Sequence, residues 1–259
     1  MEATRNFEDL VALVKILRKE CPWDRKQTHE SIKDNLIEEA YEAIDAIDNK
    51  NHEAFKKELG DLLLHIVFHS QMATETDAFD IKEVIYAIQQ KLIRRHPHVF
   101  GDVVAEDEQE VAQNWETLKM DEGRASVLEG VPPHLPGLIR AQRMQEKAGN
   151  VGFDWQRSTT GKQMIWKKIE EELVEFKEAY DAGNEAQAQE EYGDLLFSIV
   201  NAGRFLGLQA EDCLRRSNNK FQNRFEYIEA ELQKENIKIT EASLQQMEHY
   251  WQQAKSEPE

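Results

Sequence analysis

Glu171-Glu172-Leu173-Val174-Glu175, followed sixteen residues after its last acid by Glu191-Tyr192-Gly193-Asp194, is the stretch whose reading decides the fold. Read as helix, Glu172 and Glu175 are i,i+3 neighbours, and so are Glu191 and Asp194. Asp181-Ala182-Gly183-Asn184 between them reads as a helix stop that lets the chain reverse. Glu175 lies eight residues before Gly183 and Glu191 seven after Asn184. At about 1.5 Å rise per residue both sit roughly 11–12 Å from the turn. An antiparallel helical hairpin therefore brings four carboxylates to one level.

A single E-E-x-x-E string is usually a solvated helix face, but here the arrangement occurs twice. Glu38-Glu39-Ala40-Tyr41-Glu42 precedes Glu58-Leu59-Gly60-Asp61 by the same interval, with Asn49-Lys50-Asn51 at the reversal. The copies are offset by 133 residues, and Leu62, Leu63, Ile66 and Val67 keep register with Leu195, Leu196, Ile199 and Val200. Both copies place a glycine next to the second acidic pair, although glycine inside a helix costs about 1 kcal/mol relative to alanine. Close helix approach, or room for a metal-bound ligand, would explain Gly60 and Gly193.

A chain of 259 residues with such an offset reads as two tandem units. Helical periodicity places helices at about 7–20, 28–48, 52–74, 80–95 and 107–119. In the second half they fall at about 138–149, from Ser158 or Thr159 through the second acidic string, 185–206, 210–234 and 240–254. No convincing strand emerges, and the fold class is all-α, each half a bundle of four or five helices. Residues 121–137 hold Gly123, Gly130, Pro132, Pro133, Pro136 and Gly137 and read as a linker. The expected division is thus 1–120, linker 121–137 and 138–259.

The charge excludes whole classes of function. A formal net charge of −18 opposes non-specific nucleic-acid binding and attraction to an anionic membrane. No apolar run is long enough to span a bilayer, no signal peptide opens the chain, and Cys21 and Cys213 make no disulfide framework. A reducing, cytoplasmic setting is expected. Four carboxylates at one level repel one another unless cations neutralise them. Oxygen donors without His or Cys suit Mg²⁺, with Mn²⁺ as the alternative. None of the eight histidines follows a glutamate by three residues, which sets aside a di-iron bundle. His65 and His69, i,i+4 apart, are expected to be packed or exposed rather than a zinc pair.

Basic and aromatic residues follow each hairpin. Lys220 and Arg224 are i,i+4, and Trp251 precedes Lys255; Lys91 with Arg95 and Trp115 with Lys119 are the first-half equivalents. Such cations can hold a polyphosphate bridged to the acids by metal. Phe153, Trp155 or Trp251 can stack on a base, though an aromatic is more often core.

At these residues the chain resembles the MazG family of the all-α NTP-pyrophosphatase superfamily. The resemblance rests on both hairpins, Cys21-Pro22-Trp23-Asp24, Arg94 to Gly101, Asn150-Val151-Gly152-Phe153-Asp154-Trp155, and the Lys220/Arg224 and Trp251/Lys255 pairs. It implies tandem domains, Mg²⁺ dependence, homodimers, and conversion of a nucleoside triphosphate to a monophosphate and pyrophosphate. It further implies metal ligands Glu172, Glu175, Glu191 and Asp194, repeated as Glu39, Glu42, Glu58 and Asp61, and nucleotide contacts from Lys168, Lys220, Arg224, Trp251 and Lys255. Glu171 is a candidate for deprotonating the attacking water. Narrower dNTP or phosphoribosyl-ATP hydrolysis, and a non-catalytic interaction module, are the competing readings. Lys168 precedes Glu171 by one turn, whereas Asn35 holds the equivalent place in the first half, so the second half is expected to carry most activity.

Overall fold

The computed structural model describes residues 2–103 and 108–256. The described residues are helical, without strand, and divide into two compact units, Met1–Val104 and Ala105–Glu259. The first unit holds α1 (Phe7–Glu20), α2 (His29–Ile32), α3 (Asn35–Asp48), α4 (His52–Thr74), α5 (Ile81–Arg95) and α6 (Pro97–Phe100). The second holds α7 (Glu108–Asp121), α8 (Gly137–Asn150), α9 (Thr159–Asp181), α10 (Glu185–Phe205), α11 (Ala210–Lys234) and α12 (Leu244–Ala254).

Local signals set most of these boundaries. The Asn6 side chain accepts from the Glu8 N–H at 2.9 Å, Glu8 and Asp9 occupy the first turn of α1, and Arg18 and Lys19 the last. Each charge opposes the partial charge at its end of the helix. The helix expected over 28–48 is instead two. A Thr28–Ser31 capping box starts α2, and Lys33 and Asp34 tighten the chain before α3, the Ile37 N–H reaching the Asp34 carbonyl at 3.0 Å. Ser31, Asp34 and Asn35 are poor helix-interior residues because their short polar side chains compete for backbone partners. α12 begins at Leu244 rather than 240, because the capping box Ser243-Leu244-Gln245-Gln246 is the true start.

Each unit is built on its hairpin. In the first, α3 packs on α4, and α1 and α5 also pack on α4. Val14, Ile32, Val67, Phe68 and Met72 form its core, drawn from α1, α2 and α4. In the second, α9 packs on α10, α8 on α10 and α11, and α12 on α11. Its core joins Ile165, Ala202 and Phe205, with Trp155 and Ile169 against them. α7 packs on α8, and Lys147 Nζ donates to the Val127 carbonyl at 2.8 Å. By packing, then, the division falls at 104/105, and the stretch read as a linker lies within the second unit.

Both reversals use a left-handed residue at the equivalent place: Gly183 at φ +67° and Lys50 at φ +52°. The next residue caps the returning helix, Asn184 accepting from the Gln187 N–H at 3.3 Å and Asn51 from the Ala54 N–H at 3.1 Å. Close helix approach does not explain the two helical glycines. A Cβ at Gly60 or Gly193 would meet nothing within 4 Å. His65 and His69 are partly buried, as expected of a packed role, and burial lowers both pKa values. His69 Nδ1 lies 2.8 Å from His29 Nδ1, with the two rings stacked.

Candidate metal and nucleotide site

The hairpin register brings three acids together in each unit, and they are the same three positions of the repeat. One oxygen each from Glu172, Glu191 and Asp194 lies within 4.8 Å of the others; so it is for Glu39, Glu58 and Asp61. Glu172 also converges with Glu171 and Glu175. Glu175 and Glu42, the fourth members of the expected sets, fall outside the two interhelical trios. They stand one turn nearer the reversal and border the trios electrostatically. The charge of Glu58 is the first cause raising the Glu42 pKa. Burial, then Glu172 and Glu191, raises that of Glu175. Glu39 is likewise raised, by burial and then by Asp61 and its neighbours. The clusters therefore hold negative charge against resistance, which a cation relieves.

Burial sharpens the point. Glu172 is 5 % exposed and Glu58 6 %, rare values for glutamate. Glu58 Oε1 accepts from Lys57 Nζ at 3.1 Å, but its buried Oε2 has no partner. An orphaned buried carboxylate oxygen carries its full desolvation cost. The donors are all carboxylate oxygens, so the residues fit a hard divalent cation such as Mg²⁺ or Mn²⁺.

Each cage carries a lysine, but on opposite helices. Lys168 on α9 lies 2.6 Å from both Glu171 and Glu172. Its hydrogen bond is the first cause lowering the Glu171 pKa, and that same bond with Glu171 leads the rise of its own. In the first unit Lys57 on α4 lies 3.1 Å from Glu58 and 3.8 Å from Asp61. The contrast drawn from Lys168 against Asn35 therefore does not leave the first cage without a cation. Lys57 was legible as the residue preceding Glu58 and i,i+4 to Asp61, but its counterpart by repeat is Glu190, so a comparison position by position misses it.

The cavities beside the cages differ. Next to the first lies a space of about 510 Å³ running toward the reversal, lined by Glu38, Tyr41, Glu42, Asp45 and Glu58 among others. Next to the second lies one of about 740 Å³ running the other way, bounded by α8, α9, α10 and the 152–155 loop, with Lys168, Glu172 and Asp194 at its end.

The remaining expected nucleotide contacts gather elsewhere on the second unit. The Arg224 guanidinium and Lys255 ammonium sit 5.7 and 5.9 Å from the centre of the Trp251 ring, and Phe221 packs against it at 5.4 Å. Lys220 is exposed one turn earlier on α11. None of Lys220, Arg224, Trp251 and Lys255 lines the cavity beside the second cage. Of the first-half equivalents, Arg95 is buried in the first unit, whereas Trp115 and Lys119 lie on α7 of the second, Lys119 5.2 Å from that tryptophan's ring centre.

Comparison with known proteins places this arrangement. The MazG nucleotide pyrophosphohydrolase domain matches residues 27–100 and 160–228, one match over each hairpin. The chain is 46% identical over 259 residues to the nucleoside triphosphate pyrophosphohydrolase/pyrophosphatase MazG of Thermotoga maritima, covering 98% of this chain and 97% of that one. It is 41% identical over 239 residues to the nucleoside triphosphate pyrophosphohydrolase of Escherichia coli K12, covering 91% and 90%. It is also 41% identical over 238 residues to the uncharacterized protein YabN of Bacillus subtilis, covering 91% of this chain and 48% of that longer one. With a domain match on both acidic hairpins and relatives alike along nearly its whole length, the chain belongs to the MazG family of nucleotide pyrophosphohydrolases.

Proposed function

We propose that this chain hydrolyses nucleoside triphosphates to nucleoside monophosphates and pyrophosphate, with Mg²⁺ held by the carboxylate trios. The observation that carries the reading is the convergence of Glu172, Glu191 and Asp194 beside Lys168 at the mouth of a nucleotide-sized cavity. Bound Mg²⁺ would neutralise phosphate charge and acidify a water. Glu172, Glu191 and Asp194 would hold it, with Glu175 and, in the first unit, Glu42 as further candidate ligands. Lys168, 2.6 Å from both Glu171 and Glu172, is the cation that would contact a phosphate oxygen beside the cage. A charge-assisted contact of that kind stabilises the leaving pyrophosphate. The hydrogen bond from Lys168 lowers the Glu171 pKa, while burial, then Glu172 and Glu191, raises that of Glu175; both carboxylates are candidates to take the proton of the attacking water.

The second unit carries most of the hydrolysis in this reading. Both cages own a lysine, so the preference rests on the cavity: the space beside the second cage is the larger of the two and has Lys168 in its wall, whereas among the described residues no cation lines the space beside the first. Residues 138–259 carry the working cage, and residues 121–137 join α7 to α8 within the same unit. A homodimer completes the protein, because Leu59, Leu63 and Ile66 on α4 and Tyr192, Leu196 and Ile199 on α10 are exposed. Glu191→Gln is expected to abolish most Mg²⁺-dependent turnover of ATP and GTP while the helical circular dichroism stays intact, and Glu58→Gln to remove little. If Glu58→Gln removes most activity and Glu191→Gln little, the order of the halves is reversed; if the folded double variant keeps wild-type turnover, the site is elsewhere.

A further inference from the structure

The first unit holds a group of histidines that the hydrolytic reading does not use. His29 opens α2, and His65 and His69 lie one turn apart on α4. His29 Nδ1 stands 2.8 Å from His69 Nδ1, with the ring planes 12° apart. The His65 ring centre lies 6.3 Å from that of His69.

Two ring nitrogens at that distance share one proton, since an imidazole nitrogen either donates or accepts. A proton on His69 Nε2 has no acceptor, because that atom is buried and without a partner. An orphaned buried N–H carries its full desolvation cost. In the neutral pair one proton therefore lies between the two Nδ1 atoms, and the other sits on Nε2 of His29, an exposed residue. A third proton has two places to go. On the second Nδ1 it sets two N–H groups against each other across 2.8 Å. On His69 Nε2 it is buried without an acceptor. The first breaks the tie between the helices, and the second strands a donor.

The surroundings favour the neutral pair. Burial lowers the His69 pKa, and His29 and His65 lower it further. Burial also lowers that of His65, against the pull of Asp61 one turn earlier. The helices α1, α3 and α5 pack on α4, yet among the described residues none of their charges acts on His69. Arg18 of α1 faces Glu75 and the Phe68 ring instead. On α2, Glu30 is the acid beside His29, with Lys33 a turn further on.

The tie matters because α2 is only four residues long and has no stability of its own. Its Ile32, 5 % exposed, completes the core with Val14, Val67, Phe68 and Met72. Upstream, Arg18 Nη1 donates to the Gln27 carbonyl at 2.9 Å while its guanidinium pairs with Glu75. That anchor persists until the pH reaches the carboxylate range. The histidine tie fails first on acidification.

We propose that the His29–His69 pair is a proton-operated latch, which docks α2 on α4 while it holds two protons and releases the helix, with Ile32, on taking a third. α3, which carries Glu39, follows α2 after Lys33 and Asp34, so release acts on the approach to the first cage. The latch stands independently of the hydrolytic reading. A histidine whose folded pKa is depressed contributes stability that is present above its unfolded value of about 6.5. That stability is lost as the pH falls from there toward the folded value.

Hydrogen exchange of the full chain, followed by mass spectrometry between about pH 7.5 and 5, reads residues 28–34 directly. After correction for intrinsic exchange, protection of that segment is expected to fall about tenfold below pH 6, the equivalent of one unit of lowered pKa. His29→Phe/His69→Phe keeps two rings in place and removes the titration, so its protection is expected to stay level. Protection that is level in wild type, or that falls equally in the double variant, overturns the proposal. Should the double variant fail to fold, the proton magnetic resonance titration of His69 in the wild-type chain decides, with the signal assigned by its loss in His69→Gln. A midpoint below 6 is expected, and one at or above about 6.5 overturns the latch.

Discussion

Replacing Gly193 with alanine separates two explanations of a residue that a helix disfavours. Gly193 lies inside α10, one residue before Asp194, and a Cβ there meets nothing within 4 Å. With no steric term, Gly193→Ala gains only helix propensity, about 1 kcal/mol. For a unit of this size that raises the melting temperature by roughly 2–4 °C. Gly60→Ala in α4 has the same open surroundings and the same expected gain. Gly161, also helical, is the control: its Cβ would lie 1.9 Å from the Gln156 carbonyl oxygen, a backbone atom that cannot swing aside. Gly161→Ala must move the start of α9 and is expected to destabilise by roughly 1–3 kcal/mol, the usual range for overpacking. Thermal and urea unfolding of the three variants give the signs directly. A more stable Gly193→Ala protein with reduced turnover identifies the space as room for ligand beside Asp194. Destabilisation by Gly60→Ala or Gly193→Ala would refute the reasoning, because open surroundings leave the added methyl only its gain in helix propensity.

Lys50 sits at φ +52°, where a residue with a Cβ is strained; Lys50→Gly is expected to stabilise the first unit by about 1 kcal/mol, and Gly183→Ala to destabilise the second by about as much, both read by urea unfolding. Arg18 holds the Glu75 carboxyl below the usual carboxylate range. A depressed folded pKa means stability present above the unfolded carboxylate value and lost as pH falls through the folded one. Glu75→Gln should therefore cost about 1 kcal/mol at pH 7, and its difference from wild type should vanish at acid pH; a pH-independent difference would refute the assignment. A cation that binds only the folded cages stabilises by about 2.7 kcal/mol at a hundredfold excess over its Kd, so the melting temperature should rise with Mg²⁺ beyond the rise from Na⁺ at matched ionic strength, and equal shifts would count against specific sites.

Much of this was legible in the sequence because helices announce themselves locally. The 133-residue offset placed both hairpins, the 49–51 and 181–184 stretches marked their reversals, Ser158 marked a helix start, and the register put Glu172, Glu191 and Asp194 on facing surfaces. What failed were features set by competition or by space. The α2–α3 break depends on three short polar residues outweighing the pattern of the apolar ones. The helical pattern extends α12 back to 240, whereas the Ser243 capping box sets its start at Leu244. Helix register alone cannot say how close two side chains come: Glu172 meets Glu191 and Asp194 across the hairpin, while Glu175 groups with Glu171 and Glu172 along α9. Lys57 escaped because it serves the first cage from the opposite helix. The cavity behind Lys168 joins α8, α9, α10 and the 152–155 loop, which are distant in sequence, and no periodicity reports such a surface.

The central claim is that this chain splits a nucleoside triphosphate between its α- and β-phosphorus atoms in a metal-dependent way. Product analysis of the wild-type chain with ATP and Mg²⁺, by ³¹P magnetic resonance, tests it directly. The account expects AMP and pyrophosphate in equal amounts, and no turnover once the metal is chelated. ADP and orthophosphate as the products, or undiminished turnover in chelator, would contradict it.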